Sequence, residues 1–161
     1  MRVLAIDPGF DRLGLAVLEG DPSRPTLVAS ECIEPEKGEP AARLFEVSQA
    51  VHAWIKTYKP ELVAVETLFF STNKKTALAV AEARGVVLRE AGSASLPVRQ
   101  CSPQEVKLAV TGYGAADKKS VMGMVSKLIA LPEKKRRLDD EFDAIALGIA
   151  ALAGGYPHPR S

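Results

Sequence analysis

Leu62-Val63-Ala64-Val65 is apolar at every position and closes on the carboxylate of Glu66. A strand without alternation is covered on both faces, the situation of a parallel strand in the middle of a helix-covered sheet. Its natural neighbour is Arg2 to Asp7 (RVLAID), a second apolar strand that also closes on a carboxylate before Pro8-Gly9 turns the chain. The two strands are therefore expected side by side and parallel.

The remaining segments fit around that pair. Leu13 to Leu18 (LGLAVL) and Thr26 to Ile33 (TLVASECI), separated by Gly20-Asp21-Pro22-Ser23, complete an antiparallel meander with the first strand. After Pro40, Leu44, Val47, Val51, Trp54 and Tyr58 recur at helical spacing, and the helix stops before Pro60. A helix from about Lys74 to Ala91 is rich in alanine, and Val98 to Cys101 is a last short strand. Ser102-Pro103-Gln104-Glu105 then supplies an N-cap serine, proline at N1 and glutamate at N3, a capping box for a helix that Gly112 and Gly114 end. Helices over Lys118 to Leu128 and Asp139 to Ala153 follow, with a charged loop, Pro132 to Arg137, between them. The pattern predicts an α/β fold: a five-stranded mixed sheet, three antiparallel strands and then two added through right-handed helical crossovers, with helices on both faces. Residues 1–153 are expected to form one domain and 154–161 a frayed tail.

Composition narrows the class. A chain of 161 residues buries roughly 70% of its unfolded surface, enough for a full core without disulfides or a structural metal. With 47% hydrophobic and 25% charged residues and a mean hydropathy of +0.02, neither disorder nor membrane embedding is expected. Asp7 interrupts the first apolar run, so no signal peptide is expected, and Ile145 to Tyr156 falls short of a membrane span. A cytoplasmic location follows. Cys32 and Cys101 lie far apart and outside any CxxC spacing, and are expected reduced and buried. The net charge is only +1, but residues 1–66 carry 7 basic and 11 acidic side chains, whereas residues 67–161 carry 14 and 9. Lys74-Lys75, Lys118-Lys119 and the run Lys134 to Arg137 are patches able to track a phosphate backbone.

Asp7 and Glu66 should emerge together at the edge of the sheet where open α/β sheets place their ligand sites. Asp140 and Asp143, at i and i+3, share a face in the first turn of the last helix, and Asp139 lies on that face as well, so spacing does not choose between Asp139 and Asp140 as the partner of Asp143. The apolar run after Asp143 must pack against the sheet, which anchors the first turn near the two strand carboxylates. Four such acids would repel one another unless a cation held them, and a hard oxygen set suits Mg²⁺ or Mn²⁺. Two such ions about 4 Å apart activate water and stabilise the leaving oxygen in phosphoryl displacement, with no need for a histidine or cysteine nucleophile. The histidines, His52 on the first long helix and His158 in the tail, are poorly placed for catalysis.

Six motifs in order carry a resemblance: Asp7-Pro-Gly with Gly14 in the next strand, Val65-Glu66 followed by Phe69, Ala83-Arg84-Gly85, Gln104-x-Val106-Lys107, Gly112-x-Gly114 before Lys118, and Asp140-x-x-Asp143-Ala. Together they resemble the RuvC family of bacterial Holliday junction resolvases, from the first strand to about Ala153. The resemblance implies an RNase H-like fold, a homodimer, and paired nicks in a four-way DNA junction that depend on Mg²⁺ or Mn²⁺, two ions per site. It implies Asp7, Glu66, Asp140 and Asp143 as catalytic metal ligands and so selects Asp140 over Asp139. It also implies DNA contacts by Phe69, with Phe70 either beside it or in the core, and by Lys107 and Lys118 near the scissile phosphate. Lys119 adjoins Lys118, and the resemblance does not decide which ammonium reaches the phosphate. Lys74, Lys75 and Arg84 complete the expected DNA-binding set, the helix containing Arg84-Gly85 is the expected dimer contact, and a RuvA-RuvB branch-migration complex is the expected partner.

Other classes share parts of this pattern. The YqgF-type RNase H-like nucleases, acting on structured RNA, have similar acid positions, but the Phe69 segment and Asp140-x-x-Asp143-Ala favour the resolvases. Sugar-kinase and actin-type phosphotransferases also begin with Asp-x-Gly, yet they need two such domains to enclose ATP. An inactive DNA-binding module gains nothing from concentrated negative charge beside phosphates, so four acids argue against it.

Overall fold

The meander opens the chain in the computed structural model, which describes residues 1–68, 74–134 and 136–155, apart from the side chains of Lys74 and Lys75. Strands β1 (Arg2–Pro8), β2 (Leu13–Asp21) and β3 (Arg24–Ile33) pair antiparallel. The β2–β3 ladder runs closer to the turn than the sequence predicts, ending at the pair Asp21 and Arg24. Two local features carry it there. Gly20 adopts φ +110°, a conformation open to glycine, and Asp21 Oδ1 accepts from both the backbone N–H and the hydroxyl of Ser23 at 2.8 and 2.6 Å.

Helix α1 (Pro40–Tyr58) leads to β4 (Leu62–Glu66), which pairs parallel with β1; α2 (Lys74–Ser93) leads to β5 (Val98–Cys101), parallel to β4. The sheet order is β3-β2-β1-β4-β5, with the two all-apolar strands in the middle as expected. Three helices follow: α3 (Pro103–Thr111), α4 (Lys118–Leu128) and α5 (Asp139–Gly154). The Ser102 and Glu105 capping box is formed on both sides, and Gly112 closes α3 in the left-handed conformation at φ +76°.

Alternation along the strands separates two cores. Val3, Ala5, Ala16, Leu18, Leu62 and Ala64 face α3, α4 and α5. Leu4, Ile6, Leu15, Val17, Val63 and Val65 face α1 and α2. Helix α5 is buried at every position from Ala144 to Leu152 because the sheet covers one side of it and α3 with α4 cover the other. Cys32 and Cys101 sit on opposite edge strands, which separates them beyond disulfide reach. Cys101 is buried as expected, but Cys32 is only half-buried, since β3 is an edge strand with one side open.

Two glycines let α5 lie unusually close to β2. A Cβ on Gly14 would stand 2.0 Å from the backbone oxygen of Asp140, and one on Gly148 would stand 2.4 Å from a methyl of Leu18. The first contact is with main chain, which cannot rotate away. Gly14→Ala is therefore expected to displace the first turn of α5 and destabilise the fold by about 3 kcal/mol, a fall in Tm on the order of 10 °C. Thermal melting checks this, and the more yielding Leu18 side chain should make Gly148→Ala the milder change.

Candidate active site

Strand parity sets the first half of the site. Asp7 continues the series Val3, Ala5 and Glu66 continues Leu62, Ala64, so both carboxylates leave the sheet on the α5 side. Ile6 pairs with Val65, which brings Asp7 and Glu66 level on adjacent parallel strands. The opposite strand partner of Asp7 is Gly14, over which the backbone of Asp140 rests. Asp140 and Asp143 therefore reach the strand acids through the same close approach that glycine permits.

The acids divide between two sides of this junction. Asp7, Glu66 and Asp143 line a cavity of about 250 Å³ with Lys107 and Lys118, over an apolar wall that includes Val106 and Leu147. Asp140 stands to one side, 3.5 Å from the guanidinium of Arg12, which also reaches Glu34 at 3.4 Å. Lys118 projects from the first turn of α4, which Asp117 caps by accepting from the Ser120 N–H at 2.8 Å. Its ammonium donates to Asp143 at 3.0 Å and lies 3.5 Å from Asp139. Lys119 is exposed and is not among the residues lining the cavity, so of the adjacent pair it is Lys118 that faces the acids.

Electrostatics single out Asp7. Burial, then the charges of Asp143, Glu66 and Asp140, push its carboxyl up to about 8, with Lys118 as the relieving charge. Burial and Asp143 raise Glu66, against the pull of Lys107 and Lys118. Burial also raises Asp143, opposed by its hydrogen bond from Lys118. Lys118 is affected by burial, which lowers its pKa, but its bond to Asp143 and the charges of Asp143 and Asp139 outweigh that and raise it. Asp140 is among the charges that raise Asp7, and both Asp140 and Asp139 are among those that raise Asp143.

This donor set fits a hard divalent cation. Every candidate ligand is a carboxylate, and the buried Asp7 stays ionised at neutral pH only if positive charge is added beside it. Among the described residues no three such side chains already converge into a closed coordination set. The cluster is thus an open one, with its acids on the walls of a cavity rather than drawn to a point.

The other expected contacts fall in three groups. Phe69 and Phe70 lie outside the described residues; Lys74 and Lys75 open α2, with side chains outside the description. Arg84 is engaged within the fold, donating to the backbone oxygen of Glu66 at 3.3 Å and to Gln100 at 2.7 Å. In the run Lys134 to Arg137, the largely buried Arg137 donates to the buried Glu141 at 3.0 Å, Lys134 donates to it at 2.9 Å from a side chain that is still 41% exposed, and Arg136 is exposed. Arg12 and Glu141 were not evident from the sequence as site neighbours. Only the i,i+4 spacing of Arg137 and Glu141 hinted at one of these pairings.

A mixed sheet carrying acids at the ends of two parallel strands and on a helix packed across them defines an RNase H-like enzyme fold. The sequence model of the crossover junction endodeoxyribonuclease RuvC matches residues 3–151, and the chain belongs to the RuvC family. The RuvC of Syntrophomonas wolfei is 39% identical over 94% of this chain and 88% of its own length. That of Moorella thermoacetica is 42% identical over 92% and 89%. The structure of Thermus thermophilus RuvC in complex with a Holliday junction substrate is 34% identical, superposes with a TM-score of 0.85 and covers 93% of this chain and 92% of its own. The yeast mitochondrial Holliday junction resolvase Ydc2 shares the fold at a TM-score of 0.70 and 14% identity. Among the described residues no helix is long and apolar enough to cross a membrane.

The raised pKa of Asp7 makes stability pH-dependent in a defined direction. The folded state holds the proton more tightly than the unfolded chain, so the stabilisation is complete below the ordinary value of 3.8 and is lost as pH rises towards about 8. Metal-free protein should therefore melt progressively lower across that window. Asp7→Asn should flatten the trend and raise Tm at the alkaline end, and Mn²⁺ should raise the Tm of the unsubstituted protein most where Asp7 would otherwise hold its proton least. Melting curves across the pH range, with EDTA or Mn²⁺, check all three.

Proposed function

We propose that this protein is a structure-selective endonuclease that resolves four-way DNA junctions by paired, divalent-metal-dependent phosphodiester hydrolysis. The observation that carries the reading is the union of two facts: family membership along nearly the whole chain, and acids from β1, β4 and α5 on one edge beside Lys118. Divalent cations, when bound, supply an activated water and charge stabilisation at the reacting phosphate. Asp7, Glu66, Asp140 and Asp143 are proposed to hold them, Mg²⁺ or Mn²⁺, two to a site. Lys118 and Lys107 line the same cavity, where an ammonium stabilises charge developing on the phosphate. Lys118 must leave Asp143 to do so, and a phosphate with its cations supplies the competing partners.

The remaining roles follow the same reading. Phe69 and Phe70 are proposed to stack on bases at the junction, with Lys74, Lys75 and Lys119 as backbone contacts. A two-fold symmetric junction asks for two matched sites, and a homodimer supplies them. Helix α2 is the proposed contact: Leu78 is 72% exposed, and Gly85 faces open space that a second helix can enter. A RuvA-RuvB complex is the proposed partner, in the cytoplasm.

Four measurements test this. Purified protein should cut a synthetic four-way junction with Mg²⁺ or Mn²⁺ and leave a linear duplex and structured RNA intact; preference for RNA would indicate the YqgF-type alternative. Asp7→Asn, Glu66→Gln, Asp140→Asn and Asp143→Asn should abolish cleavage and keep junction binding, with Asp139→Asn far milder. Lys118→Ala should slow cleavage at saturating junction by about 100- to 1,000-fold. Sedimentation should show a dimer at micromolar concentration, and a monomer that still makes both nicks in one encounter would refute the symmetric unit.

A further inference from the structure

Glu141 lies between two proposed metal ligands, one residue after Asp140 and two before Asp143, yet it turns away from the cavity. It is 1% exposed, an unusual place for a glutamate in the first turn of a helix. Its carboxylate is held from separate parts of the chain. The Ser30 hydroxyl on β3 donates to it at 2.6 Å, the Lys134 ammonium at 2.9 Å and the Arg137 guanidinium at 3.0 Å. Arg137 is itself only 10% exposed, so the cluster is built into the fold rather than laid on its surface.

The helix it belongs to needs such a tether. Leu138 stands at the N-cap of α5 and offers no side-chain acceptor, so the first turn lacks the capping bond that Ser102 gives α3 and Asp117 gives α4. On its other flank this turn is seated against Gly14 through the backbone of Asp140. Successive helical residues are about 100° apart around the axis, so any rotation of the turn that moves Glu141 moves Asp140 and Asp143 equally. We infer that Glu141 is a positioning residue: anchored by Ser30, Lys134 and Arg137, it sets the rotation of the first turn of α5 and thereby the placement of Asp140 and Asp143 for divalent metal. The inference rests on the resolvase reading. It also explains why Arg137, in an apparent DNA-binding run, is largely buried.

Glu141→Gln and Ser30→Ala test it, each compared with the unsubstituted protein by Tm, by Mn²⁺ affinity in isothermal titration, by junction affinity without divalent metal, and by kcat per folded molecule at saturating junction. Glu141→Gln should weaken Mn²⁺ binding about 10-fold and lower kcat about 10- to 100-fold, leaving metal-free junction affinity unchanged. Ser30→Ala keeps the buried charge and both cations, so it tests the same anchor at low risk to folding, with smaller losses in the same two quantities. Lower melting with wild-type Mn²⁺ affinity and kcat in both variants would overturn the inference and leave Glu141 a stability residue. An unsubstituted protein that binds Mn²⁺ but cuts no junction would overturn the resolvase reading, and this inference with it.

Discussion

The seating of α5 on β2 is the contact on which the site depends. Asp7 and Glu66 are delivered by strand parity, but the helical acids reach them only because Gly14 leaves no side chain between β2 and the backbone of Asp140. Packing makes the arrangement affordable. Ile145, Leu147, Ile149 and Leu152 are almost fully buried, and burying side chains of this size gives roughly 1.5 to 3 kcal/mol each. Burying the Asp7 carboxyl, pushed up to about 8 so that it must take up a proton at neutral pH, costs on the order of 4 kcal/mol. The apolar helix behind the acids outweighs that penalty, so a cluster that is unfavourable in itself persists.

Cations are distributed by function as well as by sequence position. Lys118 and Lys107 border the acids from α4 and α3, where their charges counter the upward push of burial and Asp143 on the Glu66 carboxyl. Arg12 meets Asp140 from the β1–β2 turn, while the largely buried Arg137 and the partly exposed Lys134 pair with Glu141. The positive balance of the second half of the chain is therefore smaller at the surface than a count of lysines and arginines implies. A basic run becomes a fixed structural element once a buried carboxylate accepts its charge.

Much of this architecture is visible in the chain as text, because the signals are local. Unbroken apolarity of Leu62 to Val65 and of Val3 to Ile6, proline before α1, the Ser102 capping box and the Gly112 stop each act within a few residues, and each element appears where its signal lies. The parity that aims Asp7 and Glu66 to one side is of the same kind. Where the reading departed from the fold, a partner distant in sequence was responsible. Ser30 meets Glu141 across 111 positions, and Cys32 is partly open because its strand lies at the sheet edge.

The same division holds at the acids. Residue types, their order and the period of each element identify four carboxylates and the edge to which two of them belong, since backbone geometry alone dictates which way successive strand residues point. The rotation of α5 obeys no such local rule. Asp139, Asp140 and Asp143 occupy neighbouring positions on one helix, and spacing treats the first two alike; only the folded helix, seated on Gly14 and tethered through Glu141, turns Asp140 to Asp7 and leaves Asp139 beside Lys118. Helix azimuth is a property of packing between distant segments, and it exists only once those segments have met.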